Sequence, residues 1–586
     1  MKKNLLIIIL ILEFCLAAPV LQGQEPVDTT RQKDSIVAPQ KRDLPTIQLQ
    51  DYTIVGLAKI SLPRKVRPQL FQEVEISWSE NQKIYEKEIP EISFQFSRIK
   101  PSLFRLYDFP WLDSRIHYGT YNTAGINVNM QFKAQNTLPY LMADFQRSDG
   151  HLENAQWTSA ALQAGVHQKF SDIHLLHLNT DYVLNKRGIW GFRDIYQEEW
   201  ETATTFWEIG GELEDRWNEK FRTYFRGKYL LDEHENAFKY SQQGYDLAAG
   251  GKINVNNTGI DLGAGIQNND LDVNDGNLTH PPQDTVNLKS YQASLLNTYL
   301  NLQQNFQAVT AEIGMLYQKS EEENVRAINL QIKEQQFYPL VSLSAGFEGK
   351  GKIYARYRPG LEINYFRNAV KAVPFSEFAD MRILNYKTRW EAGFDLQVPG
   401  GIALQLLSRY SEVEDYQAVV APLDSLSAIF TEGGYPGWIF STLDKVKIQE
   451  IFGKCEWNPK STISVLAWIS WRQSDIRQAE EFSSSILGNE VPYLPAFSAY
   501  GGLRWKFYQR HELKIWADYQ SSRYDDLDNQ IKIAGYTLFN TSLQLNFGEN
   551  YSFIISGQNL FDTSYEEFRG FTAPGITGWV GLKLIM

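Results

Sequence analysis

The chain has 586 residues, a formal net charge of −12 and an aromatic fraction of 13%, with 15 Trp and 31 Tyr. The negative charge argues against nucleic acid as a partner. Of the two cysteines, only Cys455 lies beyond the N-terminal leader, so an intramolecular disulfide is excluded. A chain that is hydrophilic on average yet rich in aromatics fits a transmembrane β-barrel. A large secreted all-β protein would share this composition.

The N-terminal part divides into three segments by composition. Residues 1–23 resemble a secretory signal peptide, because two lysines precede a short apolar core at residues 5–12. Residues 24–48 are polar and rich in Pro, Asp, Lys and Gln, which predicts a flexible linker. Residues 49–113 hold a few short β-prone runs, and we interpret them as a short periplasmic extension. No later run reaches the roughly 20 apolar residues that a membrane helix needs.

From residue 114 the sequence changes to repeated alternating strands. In residues 221–229 and 539–547, apolar or small side chains occupy one face of each predicted strand. The opposite faces carry Arg222, Tyr224, Arg226 and Lys228, and Asn540, Ser542, Gln544 and Asn546. One apolar face and one polar face are what a strand between lipid and a wet lumen requires.

The connections alternate between short turns and longer loops. Short turns are predicted near residues 548, 509, 459, 399, 349, 305, 254, 217, 171 and 135. The loops between them are predicted at 560–574, 522–533, 473–496, 412–446, 367–384, 320–336, 267–287, 232–238, 188–201 and 148–157. Outer-membrane barrels have short periplasmic turns and long outer loops in this alternation. Residues 114–586 therefore predict an antiparallel up-and-down barrel of about 22 strands.

The last residues predict how this barrel closes. Alternation continues up to Met586, as expected when the final strand must pair on both sides because no sheet edge can face lipid. We therefore expect this chain to lie in the outer membrane of a Gram-negative bacterium, with membrane lipid around it.

Three segments resemble TonB-dependent receptors. Residues 559–565 read Asn-Leu-Phe-Asp-x-x-Tyr, and a Pro-Gly pair and a closing strand follow. The run Val-Pro-Tyr-Leu-Pro at 491–495 and the run Tyr-Ala-Arg-Tyr-Arg-Pro-Gly at 354–360 are similar to the same family. The resemblance covers residues 114–586. It implies a barrel that mediates uptake or passage of an unknown solute across the outer membrane.

The chain departs from that family at both ends. It finishes in Met586, where the family usually has Phe. Residues 25–113 contain neither the family's Arg-Gly-Pro motif nor its glycine-rich plug strand. The resemblance therefore implies a plugless relative, and whether transport is energy-coupled stays open. A wide lumen still needs a filler. The candidates are residues 49–113, a separate partner protein, or inward-folded loops.

One segment of the extension resembles the peptide that such receptors present to the periplasmic TonB protein. It comprises Asp51, Tyr52, Thr53, Ile54 and Val55. An extended β-branched peptide can add its backbone to an exposed sheet edge of a partner. The alternative is a local strand of the extension.

Two outer loops contain candidate ligand contacts. Loop 412–446 carries aromatic side chains that could stack on a sugar or another apolar ligand, or could form a lid that packs on itself. They are Tyr416, Phe430, Tyr435, Trp438 and Phe440. Loop 267–287 carries Asp270, Asp272 and Asn274 at the alternate spacing of a calcium loop, although the following glycine is one place late. A turn-rich loop explains these residues equally well.

Three histidines lie on neighbouring predicted strands around the turn at 171. His167, His174 and His177 could form a metal or proton site, or could be polar lumen side chains. No Ser/His/Asp or paired-acid arrangement predicts catalysis, and no cofactor is expected. The leading hypothesis is solute passage. The rivals are an outer-membrane receptor or scaffold that docks a partner, and an outer-membrane hydrolase.

Overall fold

The structure is a computed structural model that describes residues 111–586, with gaps at 133, 135, 152–154, 172, 190–199, 219, 236–238, 275–289, 326–328, 348–350, 366–375, 379–380, 421–437, 461, 480–483, 509–510 and 570. The predicted signal peptide, linker and nearly all of the periplasmic extension, with Asp51 to Val55, lie outside the described residues. Within the described part, no helix is long and apolar enough to span a membrane.

Twenty-two strands build a single closed sheet. The first eleven are β1 Leu112–Gly119, β2 Thr123–Gln131, β3 Thr137–Ser148, β4 Trp157–Lys169, β5 His174–Ile189, β6 Trp200–Arg216, β7 Phe221–Glu235, β8 Lys239–Val255, β9 Thr258–Asn274, β10 Tyr291–Phe306 and β11 Val309–Val325. The others are β12 Asn329–Phe347, β13 Gly351–Tyr357, β14 Ile383–Val398, β15 Ile402–Val420, β16 Trp438–Lys460, β17 Ile463–Gln478, β18 Phe497–Phe507, β19 His511–Gln520, β20 Tyr536–Phe547, β21 Tyr551–Gln558 and β22 Thr577–Ile585.

The described connections also contain short elements. They are the short strands Gly360–Ile363, Ser376–Phe378, Arg523–Tyr524, Lys532–Ile533, Glu566–Phe568 and Phe571–Thr572, and the 3-10 turns Thr120–Asn122 and Ser484–Ile486. Most of them lie at the long-loop end of the barrel, where the chain has room to fold back on itself.

The sheet closes because β1 pairs antiparallel with β22. Their register runs from Asp113 opposite Ile585 to Gly119 opposite Trp579. Each of the other barrel strands pairs antiparallel with its neighbours in chain order. The predicted 22-strand barrel and its closing last strand are confirmed. Its first strand begins at Leu112, two residues before the predicted boundary.

The two faces of the sheet differ as the alternation predicted. Ile116 lies opposite Leu582 at the seam, and these side chains are 62% and 67% exposed, as expected of a surface that lipid covers. Arg115 and His117, on the other face of the same strand, are buried. In β7 the outward Phe225 is exposed, whereas residues of the opposite face form hydrogen bonds across the lumen wall.

All ten predicted short turns lie at one end of the barrel. At the turn between β8 and β9, Asn256 has a φ of +54°, a left-handed conformation that Asn tolerates better than most residues. By the usual asymmetry of such barrels, this end is the periplasmic rim and the long-loop end is the outer mouth.

Several predicted loops prove shorter, because the strands continue past their predicted ends. The connection predicted at 412–446 spans only 421–437, and those predicted at 267–287 and 320–336 span 275–290 and 326–328. The sequence of these strand ends is rich in Asp, Glu, Asn and Gln, as at 267–275 and 320–324, and this composition is typical of loops. Backbone pairing nevertheless continues through them.

Candidate functional site in the barrel lumen

A row of charged side chains crosses the lumen wall on five consecutive strands. Arg356, Glu391, Arg409, Glu450 and Arg472 are direct cross-strand neighbours from β13 to β17. Their nearest nitrogen–oxygen distances along the row are 3.3, 3.2, 3.5 and 2.7 Å. We call this row the Arg–Glu ladder.

Alternation of sign explains why the ladder can be buried. The side chains of Arg409 and Glu450 are only 10% and 12% exposed. A charge removed from water needs an opposite charge and hydrogen bonds, and each inner member of the ladder has a partner on both sides. Three arginines and two glutamates give the Arg–Glu ladder itself one excess positive charge.

An apolar row lies nearer the periplasmic rim on the same strands. Tyr354, Leu407 and Phe452 form a buried cluster, and Trp468 packs against it. The ring of Tyr354 lies across Gly393, where an added Cβ would be 2.8 Å from the tyrosine hydroxyl. Glycine at this position therefore lets a large ring lie flat on the wall.

The remaining wall is polar and internally hydrogen-bonded. The hydroxyls of Tyr224 and Tyr299 are 2.8 Å apart, and Tyr299 donates to Asp261 at 3.1 Å. On the other side of the lumen, Asn540 donates to Asp518 at 3.1 Å. On the same strand as Asn540, Gln544 donates to Asn546 at 2.8 Å. The predicted lumen residues of β7 and β20 therefore lie on the inner face of the wall, as expected.

Three outer loops interlock over one side of the outer mouth, and we call this arrangement the outer cap. It consists of the described residues of 479–496, 521–535 and 559–576. Asp525 is fully buried, and its carboxylate accepts hydrogen bonds from Arg569 at 3.0 Å and from the hydroxyl of Tyr493. One carboxylate therefore connects all three loops.

The outer cap has its own apolar core. Leu527 is fully buried and belongs to one cluster with wall residues at the outer ends of β15 to β17. The buried members of the cluster are Ala418, Leu443, Val446, Ile476, Ala479, Ile486, Val491 and Leu527. Since Val446 and Ile476 are wall residues, the loop that carries Leu527 folds inward rather than out into solvent.

A second segment, Gly360–Ile363, pairs antiparallel with residues 383–386 of β14 and contacts the wall with its other edge. Gly360–Ile363 follows β13 and passes the inner face of β11. The amide of Leu361 donates to Oε1 of Gln318 at 2.6 Å, and the Gln318 side chain donates back to the Leu361 carbonyl at 3.0 Å. Inward-folded loops were one of the three candidates for filling the lumen. The outer cap and Gly360–Ile363 show that such segments cover part of it at the outer end.

The predicted aromatic contacts separate into different environments. Tyr416 lies on β15, not in a loop, and packs partly buried against the cluster of the outer cap. Trp438 and Phe440 lie within β16 rather than in a loop. Phe430 and Tyr435 lie outside the described residues. Ligand contact by any of them stays a prediction.

The predicted calcium residues lie on a strand. Asp270, Asp272 and Asn274 belong to β9. Asp270 pairs with both neighbouring strands, whereas Asp272 and Asn274 pair with β8 alone, and the backbone through all three is extended rather than wrapped into an ion-binding loop. Their placement in a loop was wrong, because pairing continues to the end of this Asp- and Asn-rich run. Among the described residues, no group of three His, Cys, Asp or Glu is arranged to hold a metal ion.

The histidines divide into a pair and a separate ring. His167 and His177 are direct cross-strand partners on β4 and β5, with ring centroids 4.1 Å apart. His174 instead contacts Asp215, with 2.6 Å between Nδ1 and Oδ1. The ladder and the outer cap were not predicted. Alternating Arg and Glu along five strands was a visible clue to the ladder, but only the register makes these residues neighbours.

Solved structures of other proteins share the barrel architecture of this chain. The siderophore receptor PiuA from Acinetobacter baumannii matches with a TM-score of 0.60 at 11% identity, over 81% of this chain and 81% of that chain. The FrpB iron transporter (F5-1 variant) from Neisseria meningitidis gives 0.62 at 10% identity, over 82% and 83%. The ferric yersiniabactin uptake receptor FyuA from Yersinia pestis gives 0.59 at 12% identity, over 81% and 80%.

The chain has the fold of a 22-strand outer-membrane β-barrel. The match extends over most of each chain, and it confirms the outer-membrane location and, at the level of the fold, the predicted resemblance to TonB-dependent receptors. No protein-family model and no curated protein matches the chain. The prediction that it lacks a plug concerns residues that precede the described part.

Proposed function

We propose that this chain takes up a solute across the outer membrane through the lumen of its barrel, as a plugless relative of the TonB-dependent receptors. The observation that carries the proposal is the barrel itself, because it matches solved uptake receptors over about four fifths of each chain. The Arg–Glu ladder and the polar networks of the opposite wall support it, since a wall of this kind suits a hydrated solute.

The proposed path begins at the outer mouth. The solute passes beside the outer cap and moves along the wall that bears Arg222, Arg226, Asn540, Gln544 and Asn546 towards the periplasmic rim. Because the outer cap and Gly360–Ile363 cover only part of the wall, we propose that residues 49–113 or a partner protein complete the closure. Residues Asp51 to Val55 would then contact a TonB-like periplasmic protein by strand addition.

Conductance in planar lipid bilayers tests the proposal. The full-length chain should conduct little, and deletion of residues 25–110 should give a stable and larger conductance. A matched control deletes only residues 25–48, the predicted linker, and should behave as the full-length chain. If neither deletion conducts although the barrel is folded, the rival function, a receptor or scaffold that docks a partner, is favoured instead.

A further inference from the structure

We propose that His167 and His177 form a binding site for a divalent transition-metal ion on the lumen wall near the periplasmic rim. The site does not depend on the proposed function, because it would hold an ion whether or not the barrel transports one. Imidazole is a ligand that Zn²⁺, Ni²⁺ and Cu²⁺ accept, so these ions are the class expected.

Register brings the two rings together. His167 and His177 lie directly opposite each other in the antiparallel pair of β4 and β5. The Cβ atoms of such partners are about 4.5–5.5 Å apart, so two imidazole nitrogens can reach one ion at about 2.0–2.1 Å each after rotation about χ angles. The rings now lie parallel, 4.1 Å between centroids and 9° between planes. Two histidines one turn apart on a helix can bind one metal ion together, and a cross-strand pair brings two imidazoles together in the same way.

Neighbouring side chains hold the pair in place. The Tyr140 ring lies across Gly165, where an added Cβ would be 2.5 Å from its hydroxyl. That hydroxyl is 3.2 Å from Nε2 of His177, so it orients the ring. On the other side of His177, its direct cross-strand partner is Glu212 of β6. Glu212 lies in turn opposite Arg226 of β7, so the carboxylate stands between an imidazole and a guanidinium.

The position of the pair suits a metal ion that binds reversibly and exchanges with solution. Both histidines are partly exposed, and His167 lies two residues from the end of its strand, within about 10 Å of the periplasmic rim at about 3.3 Å per residue. With two protein ligands, most coordination positions stay with water. Such a site is filled and emptied more readily than a structural site with four protein ligands.

Copper binding to the full chain in detergent tests the proposal, with protein prepared without a polyhistidine tag. Electron paramagnetic resonance should show one equivalent of bound Cu²⁺ with coupling to two imidazole nitrogens. His167→Asn and His177→Asn should each weaken binding at least tenfold and leave at most one coupled nitrogen from the site.

The matched control is His174→Asn on the same strand as His177. His174 contacts Asp215, and its ring lies edge-on to Trp217, so its loss should leave the copper spectrum unchanged. Heat-modifiable migration on gels verifies that each variant is folded. Unchanged copper binding in the folded double variant His167→Asn/His177→Asn would overturn the proposal.

Discussion

The backbone groups of Leu112 and Met586 hydrogen-bond to each other in both directions, with N–O distances of 3.2 and 2.9 Å. The first residue of β1 is thereby joined to the last residue of the chain. Because an unpaired sheet edge cannot face lipid, this seam decides whether the sheet is a barrel at all.

We predict that deletion of residues 577–586 abolishes the folded barrel. The deletion removes β22, so both β1 and β21 lose every partner on one side. The measurement is heat-modifiable migration of protein refolded into detergent, with the substitution Met586→Ala as control. That substitution keeps the backbone bonds to Leu112 and should fold normally. A compact, heat-modifiable form of the truncated chain would contradict the prediction.

We predict that Asp525→Asn loosens the outer cap without unfolding the barrel. The charge-assisted bonds to Arg569 and Tyr493 are weakened, at a cost of about 1–3 kcal/mol to the cap alone. Proteolysis of loop 521–535 on intact cells should then be about fivefold to 150-fold faster. The control is Asp528→Asn, since Asp528 is half-exposed and contacts Ser485 at 3.3 Å. Equal cleavage rates in the two variants would count against a cap held by Asp525.

We predict that Arg409→Ala lowers the free energy of unfolding by about 3 kcal/mol, because it leaves two largely buried carboxylates without their shared cation. Urea unfolding in lipid vesicles measures this change. Arg477→Ala is the control, because its pair with Asp475 is half-exposed and such pairs contribute about 0–1 kcal/mol. The double variant Arg409→Met/Glu450→Gln should lose less free energy of unfolding than the single variants Arg409→Met and Glu450→Gln lose in sum. Strict additivity would show that the ladder is not energetically coupled.

We predict that the outer loop 149–156 opens in mild acid. Burial lowers the pKa of His151 from 6.5 to about 4, and its ring lies 5.2 Å from that of Tyr121. The opened loop binds the proton more readily, so the packed form loses stability as pH falls from about 6.5 towards 4. Hydrogen exchange of Asp149, corrected for intrinsic rates, should rise between pH 7.5 and 5, and His151→Gln should remove the change. A rise that persists in this variant would assign the effect to another group.

The sequence predicted the barrel more completely than its lumen. Strand alternation, turn positions and closure at Met586 are local patterns, and a period of two indicates which face meets lipid. Tyr416 and Asp270 were misplaced because the runs around them are rich in Asp, Glu, Asn and Gln, a composition shared by loops and by strand ends that extend beyond the lipid. The partners of Asp525 come from loops 32 and 44 residues away in sequence, so no local pattern indicates the outer cap.

The even number of crossings has a practical consequence for experiments on whole cells. Trp111, where the described chain starts, and Met586 lie beside each other at the same rim. A fluorescent or epitope label placed directly after Met586 will therefore be hidden from any reagent that stays outside the cell. Surface labelling has to use the connections at the opposite end, and insertion between Val420 and Trp438 avoids all three loops of the outer cap.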